Sequence, residues 1–98
     1  MGKKIKAVLA GCGGISQAWL KPAKEIADLE IVGLVDINLE AASNRAKQFD
    51  LGDVALGTDL KDILRRTSPD VVFDCAVPEA HLSITLEALQ HGCHVLGE

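Results

Sequence analysis

Short apolar segments alternate with longer stretches of helical periodicity along the whole chain, and no other feature constrains the fold as strongly. Five such segments, rich in valine and isoleucine, occupy residues 5–10, 30–35, 54–56, 71–76 and 94–96. The first, second and fourth are almost continuously apolar, as expected for strands of a parallel sheet that helices cover on both faces. The alternation therefore predicts an α/β protein with a doubly wound parallel sheet between two helical layers.

The intervening stretches predict four helices, over residues 14–28, 39–49, 59–66 and 79–91. Asn38 is the expected N-cap of the second helix, and Thr58 or Asp59 that of the third, because these side chains accept hydrogen bonds from free backbone N–H groups. Pro22 is expected to kink or restart the first helix, since proline lacks the N–H donor that an interior helical position uses. Gly92 lies just past the end of the fourth helix, where glycine is common.

Length and composition are those of one ordinary globular domain. The chain has 98 residues, of which 48% are apolar and 24% charged, and its net charge is -4. The basic residues form no stripe, so we expect no nucleic-acid partner. No apolar run approaches the ~20 residues that cross a bilayer, so we expect a cytoplasmic protein without membrane association. Cys12, Cys75 and Cys93 are odd in number and irregularly spaced, which predicts free thiols rather than disulfides or a metal site.

A glycine-rich loop directly follows the first predicted strand and opens the first predicted helix. It comprises Gly11, Cys12, Gly13, Gly14, Ile15 and Ser16 and fits the pattern G-x-G-x-x-G with serine in the last small position. Gly11 permits a tight turn, Gly13 lets the backbone approach a pyrophosphate, and Ser16 allows close packing of helix on strand. The helix N-terminus then offers free N–H groups to the phosphates. We therefore predict a Rossmann-like dinucleotide-binding domain of about five strands in the order 3-2-1-4-5, and no P-loop, whose lysine is missing.

Asp36 ends the second predicted strand, twenty residues beyond Ser16, where an acid accepts hydrogen bonds from the adenosine ribose. Its carboxylate would repel a 2′-phosphate, and the following Ile37 and Asn38 bring no cation. NAD is therefore the expected cofactor and NADP the less favoured one, although Arg45 on the next helix leaves NADP open. A plainer alternative also stays open, in which the glycines only make a turn and Asp36 only caps the following helix.

The second half of the chain completes a more specific combination of motifs. Residues 76–81 read Ala-Val-Pro-Glu-Ala-His, and residues 92–98 read Gly-Cys-His-Val-Leu-Gly-Glu. Together with the glycine loop, Asp36 and Thr58-Asp59, these runs resemble the N-terminal domain of the Gfo/Idh/MocA oxidoreductases. That family takes its name from glucose-fructose oxidoreductase, inositol dehydrogenase and rhizopine catabolism. The resemblance extends over essentially the whole chain.

This resemblance implies further cofactor contacts. Ala76, Val77, Pro78 and His81 would border the nicotinamide ribose, and Glu98 would contact the same ribose. Val77 departs from the family pattern, in which a threonine often stands, so a hydroxyl contact to the cofactor is in doubt there. For His81 the alternatives of a helix cap or a solvent-facing side chain stay open.

The resemblance also implies hydride transfer between the nicotinamide and a sugar, cyclitol or related polyol or carbonyl substrate. The chain stops one residue before the lysine of the family's Glu-Lys-Pro run. We therefore expect residues 1–98 to be an incomplete cofactor-binding domain with no catalytic residue and no turnover, the substrate binding only in a longer parent protein. Two alternatives stay open: a regulatory module that senses NAD without hydride transfer, and a domain that binds no nucleotide and covers its open sheet edge as a homo-oligomer.

Overall fold

A computed structural model describes residues 4–12, 16–76 and 78–97. Strands and helices alternate in these residues: β1 Ile5–Ala10, α1 Ser16–Lys24, β2 Leu29–Val35, α2 Leu39–Gln48, β3 Ala55–Gly57, α3 Leu60–Thr67, β4 Val71–Asp74, α4 Pro78–Gln90 and β5 His94–Gly97. Neighbouring strands pair in parallel, in the order β3-β2-β1-β4-β5. The predicted α/β fold and its strand order are confirmed.

Helices cover both faces of the sheet, so alternate residues of β1 point into two separate cores. The first core joins β1 to α1 and α2 and includes Ala7, Leu9, Leu20, Ala23 and Ala42. The second joins β1 to α3 and α4 and includes Val8, Ala10, Ile63, Leu64 and Ala88. The chain therefore changes faces after β3, and the strand order reverses between β1 and β4. In folds of this kind, ligands bind beyond the carboxyl ends of the strands at that reversal.

Polar caps start two of the helices at the carboxyl edge of the sheet. Asn38 Oδ1 accepts a hydrogen bond from Glu40 N at 3.0 Å, and Asp59 Oδ1 accepts one from Lys61 N at 3.2 Å. Both residues are N-caps, as predicted. The N-termini of α2 and α3 therefore lie where β2 and β3 end.

The first helix is shorter than predicted. It passes through Pro22 and ends at Lys24, not near residue 28. Beyond the proline, Glu25 N donates to Pro22 O and Ile26 N donates to Ala23 O; these three-residue spacings tighten the chain into a turn. Ile26, which falls inside the predicted helix but beyond the observed one, is 53% exposed.

The aromatic and sulfur side chains fill the interior. The rings of Trp19 and Phe73 stack with their centroids 5.3 Å apart. Cys12, Cys75 and Cys93 are buried free thiols. They act here as small apolar packing groups.

One end of the sheet is bordered by apolar surface. β5 is an edge strand, and Leu82, Leu86 and Leu89 of the adjacent α4 are exposed, as is Leu96 of β5. No helix in the described part of the chain is long and apolar enough to cross a membrane.

Candidate functional site at the carboxyl edge of the sheet

The turn after β1 packs directly against the turn after β4. Gly11 has a φ of +97°, and its N–H donates to Val35 O at 2.7 Å. A Cβ at this position would lie 2.7 Å from both Ala76 N and the carbonyl carbon of Cys75. Glycine is therefore required by the dihedral angle and also by the contact between the two turns. Only the first requirement is visible in the sequence.

The remaining glycine-loop residues are described only in part. Cys12 follows Gly11 and is buried. Gly13, Gly14 and Ile15 lie outside the described residues, so their predicted contacts with a pyrophosphate stay predictions. Ser16 is the first described residue of α1, and its predicted role in the close packing of helix on strand stays a prediction.

Asp36 follows β2, and its carboxylate accepts hydrogen bonds from two backbone N–H groups. Oδ2 accepts from Cys12 N at 2.7 Å, and Oδ1 accepts from Asn38 N at 2.8 Å. The cap of α2 is Asn38, so the alternative in which Asp36 caps that helix is wrong. A carboxylate has about four acceptor positions, which leaves room for ligand hydroxyls. Asp36 thus ties the end of β2 to the glycine turn.

The Cys12 thiol lies beside the hydrogen bond between Cys12 N and Asp36. It is buried, and its Sγ donates to Val35 O at 3.6 Å. Burial, together with the negative charge of Asp36, raises the pKa of this thiol from 9.0 to about 12, and the positive charge of Arg45 partly opposes the rise. A thiol with so high a pKa stays protonated at neutral pH and is a poor nucleophile.

We expect the folded chain to protect Cys12 from alkylation, with iodoacetamide labelling it only after unfolding. The folded state holds the thiol proton to about pH 12 and the unfolded chain only to 9.0. The stability that this thiol contributes is therefore complete below pH 9.0 and is lost as the pH rises towards 12. Urea denaturation across that range measures the decline. Cys12→Ala keeps the N–H that Asp36 binds, and its stability should decline less over this pH range. An equal decline in the two chains would assign the pH dependence to another group.

A cavity of about 490 Å³ opens beside Asp36, on the face of the sheet that α3 and α4 cover. Four predicted site residues line it, namely Gly11, Asp36, Ile37 and Ala76. The opposite walls come from residues 58–61 and from Ala80, Ser83, Ile84 and Glu87 of α4. The structure therefore brings together predicted residues from three separate strand ends. Cys12 and His81 are not part of this wall.

Glu87 lines the cavity, and one of its carboxylate oxygens has no hydrogen-bond partner among the described residues. Its Oε2 is buried, and the 3.6 Å separation from His91 Nε2 is too long for a hydrogen bond. Leaving a buried acceptor unsatisfied costs about 1–3 kcal/mol. Nothing in the sequence pattern singled out Glu87.

A second carboxylate, on the far side of the glycine turn, also escaped the sequence patterns. Asp74 ends β4 and is 3% exposed. Its Oδ2 lies 2.7 Å from His81 Nδ1, and its Oδ1 accepts from Ala76 N at 3.2 Å. The second bond turns the chain out of the sheet, so β4 ends at Asp74 and not at the predicted residue 76. The available signal was one acid at the end of an apolar strand, with a histidine seven residues later.

The remaining predicted contacts lie at or beyond the limits of the described residues. Pro78 begins α4, whereas Val77 and Glu98 lie outside the described residues. Their predicted contacts with a ribose therefore stay predictions. His81, for which a solvent-facing side chain was one alternative, pairs with Asp74 instead.

The chain is similar to known oxidoreductases along nearly its whole length. Residues 5–98 match the model of an oxidoreductase family with an NAD-binding Rossmann fold. The chain is 33% identical over 89 residues to 4-hydroxy-tetrahydrodipicolinate reductase of Bacillus velezensis, a match that covers 90% of this chain and 33% of that protein. It is 37% identical over 71 residues to D-glucoside 3-dehydrogenase of Escherichia coli, covering 72% of this chain and 20% of that protein.

Solved structures agree with these matches. The WlbA dehydrogenase of Chromobacterium violaceum, in complex with NADH and UDP-GlcNAcA, has a TM-score of 0.85 and 25% identity, covering 99% of this chain and 28% of that one. The chain spans a third or less of the lengths of these relatives. Family model, glycine turn and strand order agree, and the chain therefore belongs to the Gfo/Idh/MocA oxidoreductase family, in which it corresponds to the NAD-binding Rossmann fold.

Proposed function

We propose that the chain is the dinucleotide-binding part of an NAD-dependent oxidoreductase that acts on a sugar, cyclitol or related polyol or carbonyl substrate. The observation that carries the proposal is the hydrogen bond between Asp36 Oδ2 and Cys12 N, because it joins the acid after β2 to the glycine turn after β1 in one site. That site lies at the strand-order reversal, where open α/β sheets bind ligands. Family membership supports the same class of cofactor.

The residues around the cavity fit the adenosine half of such a cofactor. Asp36 retains acceptor positions for ribose hydroxyls. Ile37 and Ile84 offer apolar surface to a flat base. The diphosphate would then meet the glycine turn and the N-terminus of α1, whose N–H groups favour anions.

Asp36 is also the reason to propose NAD in preference to NADP. A 2′-phosphate on the same ribose would bring further negative charge close to the carboxylate, and like charges at such distances repel. Lys61 lines the same cavity and would partly offset this repulsion, as would Arg45 on α2. The Nη1 of Arg45 donates to Gln48 Oε1 on the same helix, so a phosphate would have to compete with that hydrogen bond.

The bound nicotinamide would supply or accept the hydride, and the residues of this chain would bind and orient the dinucleotide. An acid or base for a substrate hydroxyl must lie within hydrogen-bond distance of the reacting oxygen. We assign that role to no residue of the chain. The name of D-glucoside 3-dehydrogenase supports a sugar-type substrate for the longer protein, whereas that of 4-hydroxy-tetrahydrodipicolinate reductase indicates another kind of compound. Turnover assays of the longer protein should therefore include both substrate classes.

Titration with NADH tests the proposal on the chain as it stands. We expect saturable binding by calorimetry, with weaker binding of NADPH. Trp19 is the single tryptophan, so energy transfer from its fluorescence to bound NADH gives an independent readout. Circular dichroism verifies that the sample is folded. A folded sample that shows no saturation at millimolar NADH would overturn the proposal, and NADH oxidation by the longer protein would separate an oxidoreductase from a module that only senses the nucleotide.

A further inference from the structure

Asp74 is a buried carboxylate at the carboxyl end of β4. In the parallel pairing it lies beside Ala10 of β1 on one side and Gly97 of β5 on the other. A Cβ at Gly97 would lie 3.3 Å from Asp74 Cβ and from Asp74 O, so the backbones are close and leave little space around the side chain. Burying a carboxylate is costly unless hydrogen bonds or a cation compensate it. Hydrogen bonds or a cation must therefore compensate the burial of Asp74 at the end of an otherwise apolar strand.

Two hydrogen bonds satisfy the carboxylate, and they reach different parts of the next turn. Oδ1 holds Ala76 N at 3.2 Å, and Oδ2 holds the His81 ring at Nδ1, 2.7 Å away. The ring is thereby tied to the end of β4, although it belongs to the first turns of α4. About a third of the His81 side chain remains exposed (34%). A nitrogen bonded to a carboxylate carries the proton, which leaves the other ring nitrogen, Nε2, as an acceptor when the ring is neutral.

The pair lies across the glycine turn from Asp36. Asp36 follows β2, whereas Asp74 ends β4 and His81 lies on the following helix α4. A dinucleotide at the strand-order reversal extends from one half of the sheet to the other. If its adenosine ribose meets Asp36 and its diphosphate meets the glycine turn, its second nucleoside lies over the β4–β5 half. That nucleoside presents ribose hydroxyls, which are hydrogen-bond donors.

We propose that Asp74 is a positioning residue that fixes the His81 ring with its proton on Nδ1, so that Nε2 accepts a hydrogen bond from a hydroxyl of the second ribose of a bound dinucleotide. The ribose contact rests on the function proposed above, whereas the orientation of the ring does not. No proton or electron is transferred in this role. The buried carboxylate gives the imidazole one defined hydrogen-bonding form.

The orientation of the ring is tested without any nucleotide. In ¹⁵N NMR spectra of the histidine-labelled chain, recorded where the ring is neutral, we expect the His81 proton on Nδ1. Asp74→Val places an apolar side chain common in strands at the buried position and removes the acceptor of the Nδ1 proton; circular dichroism checks that the variant folds. In that variant the proton should move to Nε2. A wild-type spectrum with the proton on Nε2 and none on Nδ1 would overturn the positioning role.

The ribose contact is tested by comparing NADH with ADP, which lacks the second nucleoside. We expect His81→Ala and Asp74→Val each to weaken NADH binding about threefold to tenfold, the worth of one hydrogen bond, and to leave ADP binding within about twofold. The double variant should be no weaker than either single variant, since the two residues act as one unit. His94→Gln, an exposed histidine at the other end of β5, is the matched control and should change neither affinity.

The outcomes separate this inference from the proposed function. Equal losses for NADH and ADP would mean that the pair only maintains the turn after β4, and unchanged NADH binding would remove the ribose contact. A wild-type chain that binds neither NADH nor ADP would overturn the proposed function and the ribose contact together. The NMR result would still decide whether Asp74 orients His81.

Discussion

Asp36→Ala is expected to weaken NADH binding about tenfold to a hundredfold, since hydrogen bonds to charged groups contribute about 1.5–3 kcal/mol. Two effects combine in this loss. The ribose hydroxyls lose their acceptor, and the glycine turn loses the bond between Cys12 N and the Asp36 carboxylate. NADPH should lose less, because the alanine also removes the repulsion of its 2′-phosphate. Calorimetric titration of both nucleotides against both chains measures the difference.

Asp36→Asn separates the two effects. The amide oxygen can still accept the N–H of Cys12 or Asn38, so the turn is largely kept while the charge is removed. NADPH binding should therefore improve relative to NADH binding in this variant. If Asp36→Ala weakens NADH and NADPH by the same factor, Asp36 acts only through the turn, and its proposed contact with the ribose is wrong.

Gly11→Ala is expected to lower the free energy of unfolding by about 2–5 kcal/mol, a large part of the stability of a small domain. A Cβ at a left-handed backbone position costs about 1–2 kcal/mol, and forcing atoms into a filled space costs about 1–3 kcal/mol. Both costs apply, because φ is +97° and the new Cβ would lie 2.7 Å from the backbone of Cys75 and Ala76. Urea denaturation followed by circular dichroism gives the value.

Gly52→Ala is the matched control, since it has a φ of +66° but no atom within 4 Å of the added Cβ. It should show only the cost of the dihedral angle, about 1–2 kcal/mol. The difference between the two variants is the energy of the contact between the turns after β1 and β4. Equal losses at both positions would mean that the turn after β4 moves aside at little cost, and that Gly11 is required for its dihedral angle alone.

Local features of this fold could be predicted because they depend on residues close together in the chain. The apolar run of residues 5–10 coincides with β1, and the caps Asn38 and Asp59 lie where short polar side chains meet free N–H groups. The first helix was predicted too long because the turn that ends it depends on hydrogen bonds that no apolar spacing reveals. Pro22 lies inside the helix and does not mark its end.

The candidate site divides in the same way. By itself the sequence determined the glycine turn and the acid after β2, since both follow from spacing along the chain, and the order of the strands followed from the Rossmann pattern that they indicate. Only the tertiary structure decided that Asp36 binds Cys12 N, 24 residues away, that Gly11 must fit against Cys75 and Ala76, and that Asp74 holds His81. These contacts depend on the register in which β1 pairs with β2 and β4 and on how α4 packs on the sheet. Register and packing are set by the whole core at once, so no single motif contains them.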